Sequence, residues 1–311
     1  MYHGIINVYK EPGYTSHDVV ARLRGILKQK KIGHTGTLDP AAEGVLPVCL
    51  GAGTRLCDML ADRTKTYEAV LLLGLSTDTQ DTTGQILAEH RQEAAALAEE
   101  QVRQVILGFQ GDYAQIPPMY SALKVDGKKL YELARAGKEV ERQARMVQIL
   151  ELTIQEIALP RVRMRVTCSK GTYIRTLCHD IGNALGCGGC MEHLIRTRVD
   201  RFCLEDSLKL EDIEKLRDEG SLESHIITLE EALASYEPLF VLQPADRVLA
   251  NGNPCFKQQI DWARSGEAFR VPEDGRKFRM YDSAGRFAGV YEYQESRHWW
   301  KPWKMFLTLQ D

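Results

Sequence analysis

An α+β fold is predicted for this 311-residue chain, with a mixed helix-and-strand unit over residues 1–237 and a small β-rich unit over 238–311. Apolar and polar residues alternate over 147–157 and 162–168, which predicts a pair of strands. Helical spacing recurs on either side of that pair. Beyond Pro238 the pattern changes to short β-like runs between turn signals. Those signals include Asn251-Gly252-Asn253-Pro254, Pro272-Glu273-Asp274-Gly275 and Ser283-Ala284-Gly285.

In chain order, Val19, Val20, Leu23, Ile26 and Leu27 predict a helix over 17–28 with Ser16 as its cap. A strand follows over 67–75, then a turn at 78–84 and an Ala/Glu-rich helix over 93–107 whose acidic face is solvated. Residues 130–136 and 172–185 read as helical, as do 210–217 and 229–234. No internal repeat stands out.

The apolar fraction of 44% supports a sizeable core. No signal-peptide order opens the chain, and no run of 18 apolar residues exists, so a non-membrane, cytoplasmic protein is expected. Eight scattered cysteines suit a reducing compartment. Net charge is −3, but residues 205–231 alone hold ten acids and three bases, leaving +4 on the remainder. Bases bunch at 28–31, at 124–145 and at Arg161, Arg163 and Arg165, a distribution compatible with a phosphate-bearing partner.

Chemistry concentrates in Gly33-His34-Thr35-Gly36-Thr37-Leu38-Asp39-Pro40, continued by Glu43-Gly44-Val45-Leu46. Pro40 lacks a donor and biases Asp39 toward extended geometry. Such an acid is either a nucleophile or base, or merely a turn opener. Asp78 to Gly84 lacks the alternating ligands and closing glutamate of a calcium loop. Cys187-Gly188-Gly189-Cys190, with His193 nearby and Cys178-His179 upstream, has the inventory of a zinc site, or else makes a helix-to-helix turn.

Five segments, in order, resemble the TruB-type tRNA pseudouridine synthases. They are Asn7-Val8-Tyr9-Lys10-Glu11-Pro12-Gly13, the Asp39 loop with Gly51-Ala52-Gly53-Thr54-Arg55, Lys65-Thr66-Tyr67-Glu68-Ala69, Gln115-Ile116-Pro117-Pro118-Met119-Tyr120-Ser121-Ala122-Leu123-Lys124, and Gly171-Thr172-Tyr173-Ile174-Arg175-Thr176-Leu177. The resemblance implies a mixed-sheet catalytic domain with a PUA-like C-terminal domain. It implies conversion of the T-loop uridine of tRNA, position 55, to pseudouridine, with no cofactor or metal. Asp39, Tyr67 and Arg175 match the catalytic set. His34 matches a ring that fills the gap left by the extruded base. Tyr173 and Leu194 match pocket residues, and Lys10 and Lys124 join the substrate-binding set, Lys10 by supporting the Asp39 loop.

The implied partner is the tRNA T-arm, with no obligatory protein partner and a monomeric state. Ile195 and Asp200 stand where the family has Arg and Gly. Two alternatives remain at this point: an RNA-binding or tRNA-folding protein with an idle site, and a guide-RNA-directed relative acting on ribosomal RNA. The latter is expected to carry a longer basic tail, which the residues before Asp311 do not form.

Overall fold

Among the residues that the computed structural model describes (1–125, 127–266 and 272–306), ten strands form one mixed sheet and five form a second. Asp126, 267–271 and 307–311 lie outside the described residues, so the expected 238–311 unit is covered only in part.

The path of the large sheet is Ile226–Ile227, Gly4–Lys10, Glu43–Leu50, Gly189–Val199, Lys65–Leu73, Arg161–Cys168, Arg145–Ala158 and Gly111–Gln115. Ile32–His34 pairs with Glu43–Leu50, and Phe202–Cys203 with Gly189–Val199. Neighbours are antiparallel except at one seam, where Glu43–Leu50 and Gly189–Val199 run parallel. Gly44 sits at that seam with φ +105°, and a Cβ there would lie 2.3 Å from the Arg196 carbonyl oxygen. Only glycine allows the strands to meet so closely.

Val45–Leu50 is apolar throughout because the sheet is covered on both faces here. Leu46, Val48 and Leu50 pack with the helices Ser16–Leu27 and Leu210–Asp218. Val45 and Cys49 pack on the other side with Val290 and Phe306 of the second unit. At the far end, Val162, Met164 and Val166 are buried while Arg161, Arg163 and Arg165 are exposed, the alternation of a sheet with one wet face. Arg161 is not a free cation, since it forks onto Glu192 at 2.7 and 2.8 Å.

Three expectations change. Thr15, not Ser16, caps Ser16–Leu27 in a capping box with Asp18. The Ser16 hydroxyl is buried and instead accepts from the Leu38 amide at 2.9 Å. The helix expected over 93–107 divides into Arg91–Ala95 and Glu99–Leu107, with Ala94 packed over Gly74 and Leu97 of the connector on the same core. Gly188-Gly189 leads not into a helix but into the strand Gly189–Val199. This strand is inserted between two others and mostly buried, so its sequence lacks clean alternation. Asp200 takes φ +51° at the turn beyond it, a left-handed conformation that Asp tolerates better than most residues.

The second sheet runs Glu237–Phe240, Lys277–Tyr281, Phe287–Gln294, Trp299–Met305 and Cys255–Phe256, with its first pair parallel. Phe278, Tyr291 and Trp300 fill its core. It is held to the first unit by Lys304, which pairs with Asp58 at 2.9 Å and donates to the Arg55 carbonyl at 2.7 Å.

Candidate active site

The loop between Ile32–His34 and Glu43–Leu50 is pinned from several sides, and Asp39 is its crest. The Leu38 amide is held by Ser16, and the Pro40 carbonyl accepts from the Gly13 amide at 2.8 Å. The Lys10 ammonium donates to Glu11, Pro40 and Ala42 carbonyls at 3.0, 3.2 and 2.5 Å. Lys10 is fully buried behind the loop. Its ammonium braces the loop from behind and presents no exposed surface. Burial lowers it to about 8, with Asp39 pulling the other way.

Arg175 enters from the first turn of the helix Ile174–Ala184. Its Nε and Nη2 grip both Asp39 oxygens, at 2.9 and 3.1 Å, in a fork-to-fork pair. Nη2 also donates to the Tyr120 carbonyl at 2.8 Å, and Nη1 to the Thr79 carbonyl at 3.1 Å. Asp81 stands 3.7 Å from Nη1, its own carboxylate held by Thr79 and by the Thr83 amide. Arg175 is nearly sealed at 6% exposure, whereas the Asp39 side chain keeps 36%. The carboxylate is therefore fixed in direction yet open on one side. Burial pushes the Asp39 carboxyl above its ordinary range, and Arg175 opposes that shift.

Tyr67 lies buried on Lys65–Leu73, and burial pushes its phenol to about 12. Leu194 is buried on the neighbouring strand, opposite Ala69. His34 is half-buried, with Nδ1 unpartnered and its pKa lowered chiefly by burial, so the ring is neutral at ordinary pH. Tyr173 caps the Arg175 helix, and its backbone is clasped by the Gln115 side chain at 2.8 and 3.0 Å. Lys124 stands exposed on the hairpin of Lys124–Val125 with Lys128–Lys129, beside the short helix Leu130–Arg135. The structure thus gathers Asp39, Arg175 and the supporting Lys10 into one cluster, with Tyr67 facing the same loop.

Sequence reasoning treated Asp81 only as part of a turn and gave Arg196 no role. The first is signalled by the Asp-rich turn, and the second by its place in Leu194-Ile195-Arg196-Thr197. Cys187 and Cys190 are buried, and His193 turns to Glu43 at 2.8 Å. Among the described residues no group of three or more His, Cys, Asp or Glu side chains is placed to hold a metal. Nor is any helix among them long and apolar enough to cross a membrane.

Residues 24–174 match the N-terminal domain of the TruB family of pseudouridylate synthases, and 175–234 match the tRNA pseudouridylate synthase B C-terminal domain. The tRNA pseudouridine synthase B of Lachnoclostridium phytofermentans is 50% identical, over 98% of this chain and 100% of that one. The Clostridium tetani protein of the same name is 45% identical over 88% and 93%. Among solved structures, a chain of a Cbf5–Nop10–Gar1 complex superposes with TM-score 0.70 at 27% identity, over 98% of this chain and 85% of that one. A chain of an H/ACA RNP bound to a substrate RNA containing 2′-deoxyuridine gives the same TM-score at 24% identity, over 98% and 86%, and shares the fold. A clamped yet open carboxylate on a mixed sheet, matched by these sequences across its length, places the chain in the TruB family of pseudouridine synthases.

Proposed function

We propose that the chain isomerises the T-loop uridine of tRNA, position 55, to pseudouridine at the Asp39 site, with Asp39 as the catalytic carboxylate. The observation that carries this reading is the fork of Arg175 on both Asp39 oxygens, with one side of the carboxylate left open. In the reaction the N1–C1′ bond breaks, the base turns, and a C5–C1′ bond forms as the C5 proton leaves. A fixed anion serves either route into this sequence, attack at C1′ or proton removal at C2′.

Arg175 keeps the carboxylate directed. The Tyr67 ring stacks on the extruded base, with Leu194 and Tyr173 closing the pocket. The neutral His34 ring fills the vacancy in the T loop, offsetting part of an extrusion cost of a few kcal/mol. Lys124, with Lys128, Lys129 and Arg135 on the same projection, meets phosphates. Arg297 lies over the Trp299 ring at 5.0 Å and Phe256 packs beside that ring, a surface suited to RNA on the second unit. The protein acts in the cytoplasm, as a monomer and without a partner protein.

The test incubates purified protein alone with an unmodified tRNA transcript and maps pseudouridine. Product at the T-loop position that disappears in Asp39→Asn supports the reading. Absence of product with every tRNA tried overturns the stand-alone enzyme.

A further inference from the structure

Arg196 is the second guanidinium against the Asp39 loop, and the roles above leave it unused. It is 1% exposed. Its Nε donates to the Val45 carbonyl at 2.7 Å and its Nη1 to the Thr37 carbonyl at 3.4 Å, while Nη2 is buried with no hydrogen-bond partner. Among the described residues no carboxylate forms an ion pair with it, unlike Arg175. A sealed charge with no carboxylate partner is costly to keep.

The sheet register shows where this charge acts. Arg196 is the partner of Tyr67 across the antiparallel pair and of Gly44 across the parallel seam. Directly opposed residues on adjacent strands share a face, so guanidinium and phenol project from the same side. A bulge follows at once, with Arg198 opposing Thr66. Around the Tyr67 hydroxyl stand Arg196 from one neighbouring strand, the Cys168 thiol from the other, and Asp39 from the loop. Burial, Cys168 and Asp39 disfavour the phenolate; Arg196 alone among these favours it.

We propose that Arg196 is a positioning residue for Tyr67, holding the phenol oxygen toward C5 of the turned uracil and balancing its charge while it takes the C5 proton. The proposal rests on the functional reading above. After the C5–C1′ bond has formed, the C5–H bond breaks and its electron pair becomes the C5=C6 double bond. The N1=C6 pair moves onto N1, which takes a proton from solvent. The Tyr67 oxygen takes this proton as its own phenolic proton passes to solvent, so the side chain enters and leaves as phenol while Arg196 offsets the charge that develops on it. No redox partner is needed.

Two measurements test this. In turnover of tRNA, Arg196→Met is expected to lower kcat about 30-fold, with KM nearly unchanged, since a positioned proton acceptor typically contributes factors of this order or larger. A primary isotope effect with C5-deuterated uridine is expected to emerge, and Arg196→Lys to restore most of the rate. In a Tyr67→Phe background the same substitution should cost less than about threefold, because the two side chains act as one unit. Equal losses in both backgrounds without an isotope effect overturn the proposal.

The second measurement does not use turnover. A fluorotyrosine placed at 67, whose phenol is more acidic than that of tyrosine, is titrated by ¹⁹F NMR. Its midpoint should rise in Arg196→Met and in the milder Arg196→Gln; an unmoved midpoint in a folded variant overturns the proposal. Wild-type protein that makes no pseudouridine sinks the functional reading itself. Wild-type turnover with an additive pair and an unmoved midpoint sinks the role of Arg196 alone.

Discussion

Two buried guanidiniums flank the Asp39 loop and are satisfied in opposite ways. Arg175, at a helix start, meets the carboxylates of Asp39 and Asp81 and two carbonyls. Arg196, in mid-strand, meets two carbonyls and the Tyr67 side chain but no carboxylate. The first charge is neutralised where it stands. The second is left over, and its field lowers Lys10, Lys65 and His34 in addition to Tyr67, each alongside a larger effect of burial or, for His34, of His17 as well. Local pairing therefore fixes one carboxylate, while a carbonyl-bound charge conditions several neighbours at once.

The comparison is broken most severely by removing the anion that Arg175 holds. Asp39→Asn is expected to cost at least roughly a thousandfold in kcat, the scale of losing a nucleophile, measured by single-turnover pseudouridine formation. Arg175→Ala should follow with about a hundredfold loss. It also leaves the buried Asp81 carboxylate without its cation, so thermal unfolding should show about 1–3 kcal/mol of lost stability. Unchanged stability would place Asp81 outside the cluster.

The pH profile sharpens the same contrast. Asp39 must be ionised to act, and burial raises its pKa, so activity should fall with decreasing pH sooner than for an ordinary carboxylate. Arg175→Lys, which loses the fork, should move that acid limb to still higher pH. A limb that stays in place would mean that Arg175 does not set the Asp39 ionisation.

Smaller effects are expected from the other side. His34→Ala should slow turnover about tenfold on folded tRNA, the scale of one lost stacking contact, and less on an isolated flexible loop. Equal losses on both would remove the stacking role. Lys10 has a folded-state value of about 8 against 10.5 unfolded, so the unfolded chain binds more protons between these values. Stability therefore gains from this residue as pH rises through that window. Lys10→Met should make the rise of Tm with pH shallower, with Lys65 supplying the remainder.

Much of this was legible before the fold. Gly, Thr and Pro around Asp39 announce a constrained loop, whereas Arg175 is marked as its partner only through the resemblance of the Thr172-Tyr173-Ile174-Arg175 segment to the family's. Alternation marks the 145–168 hairpin because one face is wet. What escaped depends on pairing across the sheet. Gly189–Val199 carries no clean periodic signal because it lies between two strands and is mostly buried, and the Tyr67–Arg196 register follows from its insertion. Ser16 was misread for a simpler reason. Two adjacent hydroxyls can each cap a helix, and only the position of Leu38 decides between them.

One nitrogen of Arg175 serves two masters. Nη2 donates to Asp39 Oδ1 and to the Tyr120 carbonyl, and Tyr120 belongs to the segment that leads into the Lys124 projection. A load on that projection would pass along residues 121–123 to the Tyr120 carbonyl, and from there to the nitrogen that also holds Asp39. In the proposed reaction, grip on the RNA and aim of the acid therefore draw on the same nitrogen.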